Sequence, residues 1–207
     1  QINSEIPPIA DLIHQFPVFV GSVNLARFLC FYEIYNLTKD LSGDILDIGT
    51  WKGFSFFSFA KFVKIFEPYS NTTVHCMEWF AGMSPENIKN SYEDCSEENL
   101  NKLIKLQDLD GIAYVHNINL LKDLPDWCKD HPWQRFKLIF LDCGLENVMD
   151  SVFLHLWDRL IPGGIMVFDH FNNPCSPQES NLVSKYCEGR KVMQMKFTRS
   201  PTGYIKK

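Results

Sequence analysis

The sequence predicts an α/β fold built on a mostly parallel sheet, on three observations. Five short apolar runs alternate with helical segments, the order that a parallel sheet with crossover helices requires. Four of the runs close on carboxylates, Asp47, Glu78, Asp142 and Asp169, and in an open parallel sheet the ligand crevice lies at the carboxyl ends of the strands. The first run, Asp44-Ile-Leu-Asp47-Ile-Gly49-Thr-Trp51-Lys-Gly53, turns through glycines into the next helix. Gly49 allows a sharp bend or a positive φ, Gly53 allows the helix to pack on the strand, and Asp47 is expected to point into the crevice.

Residues 8 to 40 read as helical, with Ile9, Leu12, Ile13, Phe16, Leu25, Phe28, Leu29, Tyr32 and Leu37 at three- and four-residue steps, broken in two by Pro17 and Gly21. Strand one covers 44 to 49. The aromatic helix near 52 to 66, with Phe54, Phe57, Phe59, Phe62 and Phe66, has few polar positions and should be buried on more than one side. Thr73 to Met77 is strand two, ending at Glu78. A polar insertion follows, and the next helix begins after the N-cap Ser96 with two glutamates. Gly111 to His116, Phe136 to Leu141 and Gly164 to Phe168 are strands three to five. After Pro177 comes one more helix, then Lys191 to Phe197 and Thr202 to Ile205 around Ser200-Pro201, a terminal antiparallel hairpin. The expectation is one domain over 1–207, with 1–40 a helical cap and 41–207 the core.

With 207 residues, 45% hydrophobic and 22% charged, the composition is that of an ordinary globular domain. A net charge of −5 and the lack of a Lys/Arg run disfavour a nucleic-acid surface. Seven cysteines without a Cys-x-x-Cys pair read as reduced thiols, which points to the cytoplasm. No apolar run approaches the roughly 20 residues needed to cross a bilayer, so no membrane partner is expected. The chain begins at Gln1 without Met, leaving a removed targeting segment open.

The turn lacks the Gly-x-Gly-x-x-Gly that brings backbone against a pyrophosphate, which disfavours a nicotinamide dinucleotide; a smaller, cationic cofactor fits better. At this point the chain resembles the class I S-adenosylmethionine-dependent methyltransferases. The Gly49-Thr-Trp51-Lys-Gly53 turn narrows the resemblance to the TylF-like (macrocin O-methyltransferase) sugar methyltransferases. Further motifs carry it through residues 40 to 188. Glu78-Trp79-Phe80-Ala-Gly82-Met83-Ser-Pro85 resembles the family's Asp-x-Phe-x-Gly-Leu/Met-Pro, with Glu for Asp and Ser84 inserted. Asn117-Ile-Asn119 through Leu124-Pro125 resembles the stretch that passes the adenine. Leu160-Ile-Pro162-Gly163-Gly164 leading to Asp169-His170-Phe171 resembles the family's Leu-x-Pro-Gly-Gly-x-x-x-x-Asp-Asp-Tyr, and Asp142-Cys143-Gly144-Leu145-Glu146 departs from Asp-Gly-Asp-Leu-Tyr.

The resemblance implies a Rossmann-like class I methyltransferase fold: a mostly parallel seven-stranded sheet, a C-terminal antiparallel hairpin and N-terminal helices. It implies S-adenosyl-L-methionine held by Asp47, Gly49, Thr50, Trp51, Gly53, Glu78, Trp79, Asn117, Asn119 and Asp142. Within that set Asp47 serves the methionine amino group and Glu78 the ribose hydroxyls, while Asn117 or Asn119 meets the adenine edge. It also implies a divalent cation, Mg²⁺ first among candidates, at Asp142, Asp169 and His170. Two carboxylates on adjacent strands about 4.8 Å apart repel, and a hard cation relieves them. Asp142 and His170 are the candidate catalytic residues, and His170 is open between metal ligand, general base and plain strand-end polar residue. His116 is expected within strand three and outside the site.

The implied reaction is O-methyl transfer to a hydroxyl of a sugar, glycan or glycosylated small molecule. Two rivals remain: a cephalosporin-hydroxylase-like relative of the same fold, and a cofactor-binding protein without turnover. Residues 79 to 95, polar with isolated aromatics, are expected to form a lid. The acceptor and a homo-oligomer are left open.

Overall fold

The computed structural model describes residues 13–81 and 96–207. After a short helix α1 (Phe16–Phe19) come α2 (Ser22–Asn36), β1 (Asp44–Ile48), α3 (Phe54–Phe66), β2 (Val74–Glu78), α4 (Glu97–Leu106), β3 (Ala113–Asn117), α5 (Leu124–Asp130), β4 (Phe136–Leu141), α6 (Glu146–Leu156), β5 (Leu160–Phe168), α7 (Gln178–Tyr186), β6 (Met193–Gln194) and β7 (Gly203–Lys206). The seven strands form one sheet in the order β3-β2-β1-β4-β5-β7-β6. Five are parallel, and the terminal pair runs antiparallel. This is the expected architecture, with the strand order reversing between β1 and β4, where such sheets open their crevice.

Two differences from the sequence reading have local causes. The strand expected at Lys191 to Phe197 contracts to Met193–Gln194, its ladder to β7 ending where Met195 donates to the Thr202 carbonyl beside Pro201, a residue without an N–H. Strand β5 begins four residues early and passes through Pro162-Gly163-Gly164 with a register shift against β4. A Cβ on Gly164 would stand 3.0 Å from the carbonyl oxygens of Ile161 and Lys137.

The sheet has an apolar layer on each face. On one side α2, α3 and α4 cover Ile45, Leu138, Phe140, Ile165 and Val167; on the other α5, α6 and α7 cover Leu46, Ile48, Ile139, Leu141, Met166 and Phe168. Helix α3 is wedged between the sheet and α2, with Phe59 against Phe140 and Phe62 against Phe28 and Tyr32, so it is buried on more than one side, as expected. Side chains alternate along a strand with period two. Asp47 therefore faces with Ile45, Asp142 with Leu138 and Phe140, and Asp169 with Ile165 and Val167, all on the α2/α3 side. That parity decides what the carboxylates meet.

Away from the crevice, His75 Nδ1 and His116 Nε2 share a hydrogen bond of 2.9 Å between β2 and β3, and His116 lies in the strand as expected. Burial holds both imidazoles down to about 4, below the ordinary 6.5. The unfolded chain then binds more protons than the folded one between pH 6.5 and 4, so stability falls as pH drops through that window. Thermal melts from pH 7 to pH 4 should show Tm falling, and falling less steeply in His75→Gln; identical slopes would exclude these imidazoles as the cause.

Candidate functional site

At the carboxyl ends of β1, β2 and β4 lies a cavity of about 180 Å³, whose lining includes Gly49, Trp51, Glu78, Trp79, Asn119 and Asp142. Its floor depends on Gly49. That residue has φ +81°, and a Cβ there would stand 2.0 Å from the Asp142 carbonyl oxygen, so only glycine lets the ends of β1 and β4 approach this closely. The turn then places Trp51 at φ +46°, an unusual conformation for a bulky residue.

In that conformation the Trp51 amide donates to Glu78 Oε2 at 2.9 Å, and the Trp79 amide donates to Oε1 at 3.0 Å. Each carboxylate oxygen keeps a further lone pair, which suits it to two vicinal hydroxyls. Burial raises the Glu78 pKa, opposed by the two amides. Hydrogen bonds to a charged acceptor are worth about 1.5–3 kcal/mol each. Calorimetry on Glu78→Ala should therefore show S-adenosylhomocysteine binding weakened by roughly tenfold or more; equal affinity would remove Glu78 from the ribose.

Several residues implied by the resemblance sit differently. Asp47 does not open onto the cavity as expected: it is fully buried, with Oδ2 accepting from Ser55 Oγ at 3.0 Å and Oδ1 without a partner. Burial pushes its carboxyl up to about 7. Thr50 is also buried, beside the Asp47 carboxyl, whose pKa it pulls down against the effect of burial. Gly53 caps the start of α3 in the left-handed region at φ +88°, and a Cβ there would stand 2.6 Å from the Phe57 ring of that helix. Asn117 is not brought to the cavity, because its amide donates to Glu97 Oε2 at 3.1 Å across the start of α4. Asn119 does line it, although its Oδ1 accepts from the Leu121 and Lys122 amides, which leaves Nδ2 as the available donor. Of the lid expected at 79 to 95, residues 82–95 lie outside the described residues.

Beside the cavity, Asp142 and Asp169 stand one residue beyond the paired Leu141 and Phe168, so the two strand ends are neighbours as expected. The basic side chain that meets them is Arg27, from α2. Its Nη1 donates to both oxygens of Asp169 at 2.7 and 2.6 Å, and its Nη2 to Asp142 Oδ2 at 3.0 Å. The guanidinium is buried and rests 4.8 Å from the Phe31 ring centre. His170 Nε2 stands 3.3 Å from Asp142 Oδ1 and 3.5 Å from Asp169 Oδ2. Its Nδ1 is buried without a partner, and its backbone amide donates to Glu179 Oε2 at 2.6 Å.

The electrostatics follow from this arrangement. Against its burial, His170 and Arg27 hold the Asp142 pKa low, whereas burial and the Asp142 charge hold Asp169 high. The Asp142 contact raises the His170 imidazole. Burial takes Glu179 up to about 8.

Sequence reasoning missed Arg27 and Glu179, and one signal could have found both. Arg27, Cys30, Phe31 and Ile34 are buried at i, i+3, i+4 and i+7 on α2, and Glu179, Leu182 and Val183 at i, i+3 and i+4 on α7. A charge on the apolar stripe of a helix needs a buried partner.

The donor set Asp142, Asp169 and His170 fits a divalent cation in its chemistry, and one ligand atom from each lies within 4.8 Å of the others. In the structure the carboxylate pair is not without a counter-charge, because Arg27 engages both Asp169 oxygens and one of Asp142.

The family model described as a methyltransferase domain matches residues 46–171, and the chain belongs to that family. It is 26% identical over 163 residues to the mycinamicin III 3''-O-methyltransferase of Micromonospora griseorubida, covering 72% of this chain and 62% of that protein. Among solved structures it is similar to CalS11, a calicheamicin methyltransferase, with a TM-score of 0.85, 17% identity, and coverage of 98% of this chain and 87% of that one. The apo structure of CalS11 names it a TDP-rhamnose 3'-O-methyltransferase. The O-methyltransferase of Bacillus cereus in complex with SAH matches with a TM-score of 0.61 and 14% identity, over 100% of this chain and 93% of that one.

Proposed function

We propose that this chain is an S-adenosyl-L-methionine-dependent O-methyltransferase of the macrocin O-methyltransferase type, acting on a hydroxyl of a sugar, glycan or glycosylated small molecule. The observation that carries the reading is Asp142, which lines the cofactor cavity and also stands 3.3 Å from His170. A titratable group is thereby held next to the carboxylate that lines the cavity. The similarity to mycinamicin III 3''-O-methyltransferase and to CalS11 supports a sugar acceptor.

When bound, S-adenosylmethionine would supply an electrophilic methyl group, and a divalent cation held by Asp142 and Asp169 with His170 beside it, Mg²⁺ by preference, would lower the pKa of a hydroxyl. The chain supplies the rest. Glu78 fixes the ribose, Asp47 stays buried under the turn with Ser55 bound to it, and Asn119 Nδ2 offers a donor toward the adenine. Trp51 and Trp79 wall the cavity against water, which strengthens the charges within it. With Nε2–H against Asp142 and Asp169, His170 has its free lone pair at Nδ1, which no group of the chain occupies and which takes the acceptor's proton, and the Asp142 carboxylate stabilises the imidazolium that results. A sugar hydroxyl is too weakly acidic to ionise unaided at neutral pH, so a positioned base is required.

Residues 1–207 are read as a single domain, whose N-terminal helical part contributes Arg27 to the site. Six described cysteines are free thiols, in keeping with a cytoplasmic protein. Among the described residues no helix is long and apolar enough to cross a membrane.

The test is methyl transfer from labelled S-adenosylmethionine to a panel of nucleotide-linked and glycoside-linked deoxysugars, with Mg²⁺ present. Label on a sugar oxygen is the expected result. S-adenosylhomocysteine binding without transfer to any acceptor would favour a cofactor-binding protein, and loss of both would overturn the reading.

A further inference from the structure

We infer that Arg27 is a resident counter-ion that competes with the divalent cation for the Asp142–Asp169 pair, so that cation loading is coupled to the seating of helix α2 on the sheet edge. This rests on the reading of Asp142, Asp169 and His170 as a cation site, and it adds a residue that no motif of the sequence contains. Three facts carry it. Arg27 holds three of the four carboxylate oxygens, both of Asp169 and one of Asp142, and these are the oxygens a cation would take. The one it leaves, Asp142 Oδ1, faces His170 Nε2 at 3.3 Å, so an ion that left Arg27 in place would hold a single carboxylate oxygen and take the rest of its shell from water, whereas displacing Arg27 gives it both carboxylates. Finally, Arg27 comes from α2, outside the matched span 46–171, and it is fixed there by the same stripe, Cys30, Phe31 and Ile34, that seats the helix on the sheet.

The consequence follows from charge and geometry. Two carboxylates, one of them fully buried, would repel strongly if left alone. The guanidinium spans both with separate nitrogens, which a single ammonium cannot do. A cation entering the cluster must displace Arg27 from at least part of this set or bind in its repulsive field, and either way its affinity is lowered. By linkage, the cation in turn weakens the anchoring of α2. The chain thus offsets one of the pair's two negative charges before loading and couples the seating of α2 to whether the site is loaded.

Mn²⁺ alone serves as the probe, its free signal followed by electron paramagnetic resonance on the whole chain. Arg27→Gln should bind Mn²⁺ roughly tenfold more tightly than the unsubstituted chain, and Arg27→Lys, which reaches one carboxylate only, should fall between them. Asp169→Asn should lose the binding in either background. Mn²⁺ should also raise the Tm of Arg27→Gln more than that of the unsubstituted chain, and amide exchange in residues 22–30 of the unsubstituted chain should quicken when Mn²⁺ is added. Equal or weaker Mn²⁺ binding by Arg27→Gln would overturn the inference, as would an absence of binding in every form. If Arg27→Gln does not fold, Arg27→Lys decides: affinity equal to that of the unsubstituted chain overturns it. Because these readouts need neither cofactor nor acceptor, a failure of methyl transfer alongside the expected Mn²⁺ behaviour counts against the proposed function and not against the competition.

Discussion

His170→Asn is expected to lower kcat for methyl transfer by about 10²–10⁴-fold, the range of a positioned general base, while leaving S-adenosylhomocysteine affinity within a factor of about two. The split follows from where the side chain stands. Nε2 faces Asp142 Oδ1 and Asp169 Oδ2, and His170 is not among the residues lining the cofactor cavity. Asparagine keeps a polar group of similar reach but takes no proton at neutral pH. Rapid-quench single-turnover assays separate the chemical step from binding and release. A chemical step of normal rate in His170→Asn would remove the imidazole from proton transfer, and a parallel loss of cofactor affinity would make its role structural.

The second large effect is at Gly49. In Gly49→Ala the new methyl would sit 2.0 Å from the Asp142 carbonyl oxygen, at φ +81°. Overpacking costs about 1–3 kcal/mol, and a left-handed conformation at a residue with a Cβ adds about 1–2 kcal/mol. The ends of β1 and β4 must move apart, and Asp142 moves with its strand. Stability should fall by about 2–5 kcal/mol, and S-adenosylhomocysteine binding should be lost beyond what unfolding explains. Denaturant titration paired with calorimetry reads both. A folded Gly49→Ala that binds normally would show that the approach of the two strands does not shape the pocket.

The strand ends were legible because each combines an apolar run with a carboxylate, and Asp47, Glu78, Asp142 and Asp169 all fall on the predicted edge. Parity was legible too. Asp47 shares a face with Ile45 and, unlike Asp142, lies inside its strand, paired with Phe140, so it turns toward α3 and Ser55 instead of into the open crevice. What a strand pattern does not contain is the partner brought by a packed helix. The reach of Arg27 depends on how α2 is rotated on the sheet, and that rotation is set by Phe31 against Phe140 and Phe28 against Phe62, contacts distant in sequence. Asn117 was drawn elsewhere by Glu97, which stands close only because α4 begins where it does. In both cases the residue type was right for a site, and tertiary packing decided which site.

The account's central claim, that this turn of glycines and its facing carboxylate hold an adenosyl cofactor, is tested most directly by calorimetric titration of the chain with S-adenosylhomocysteine. It predicts saturable binding at one site per chain, weakened in Glu78→Ala and lost in Gly49→Ala. A folded chain that gives no binding heat, and no rise in Tm at millimolar S-adenosylhomocysteine, would contradict it.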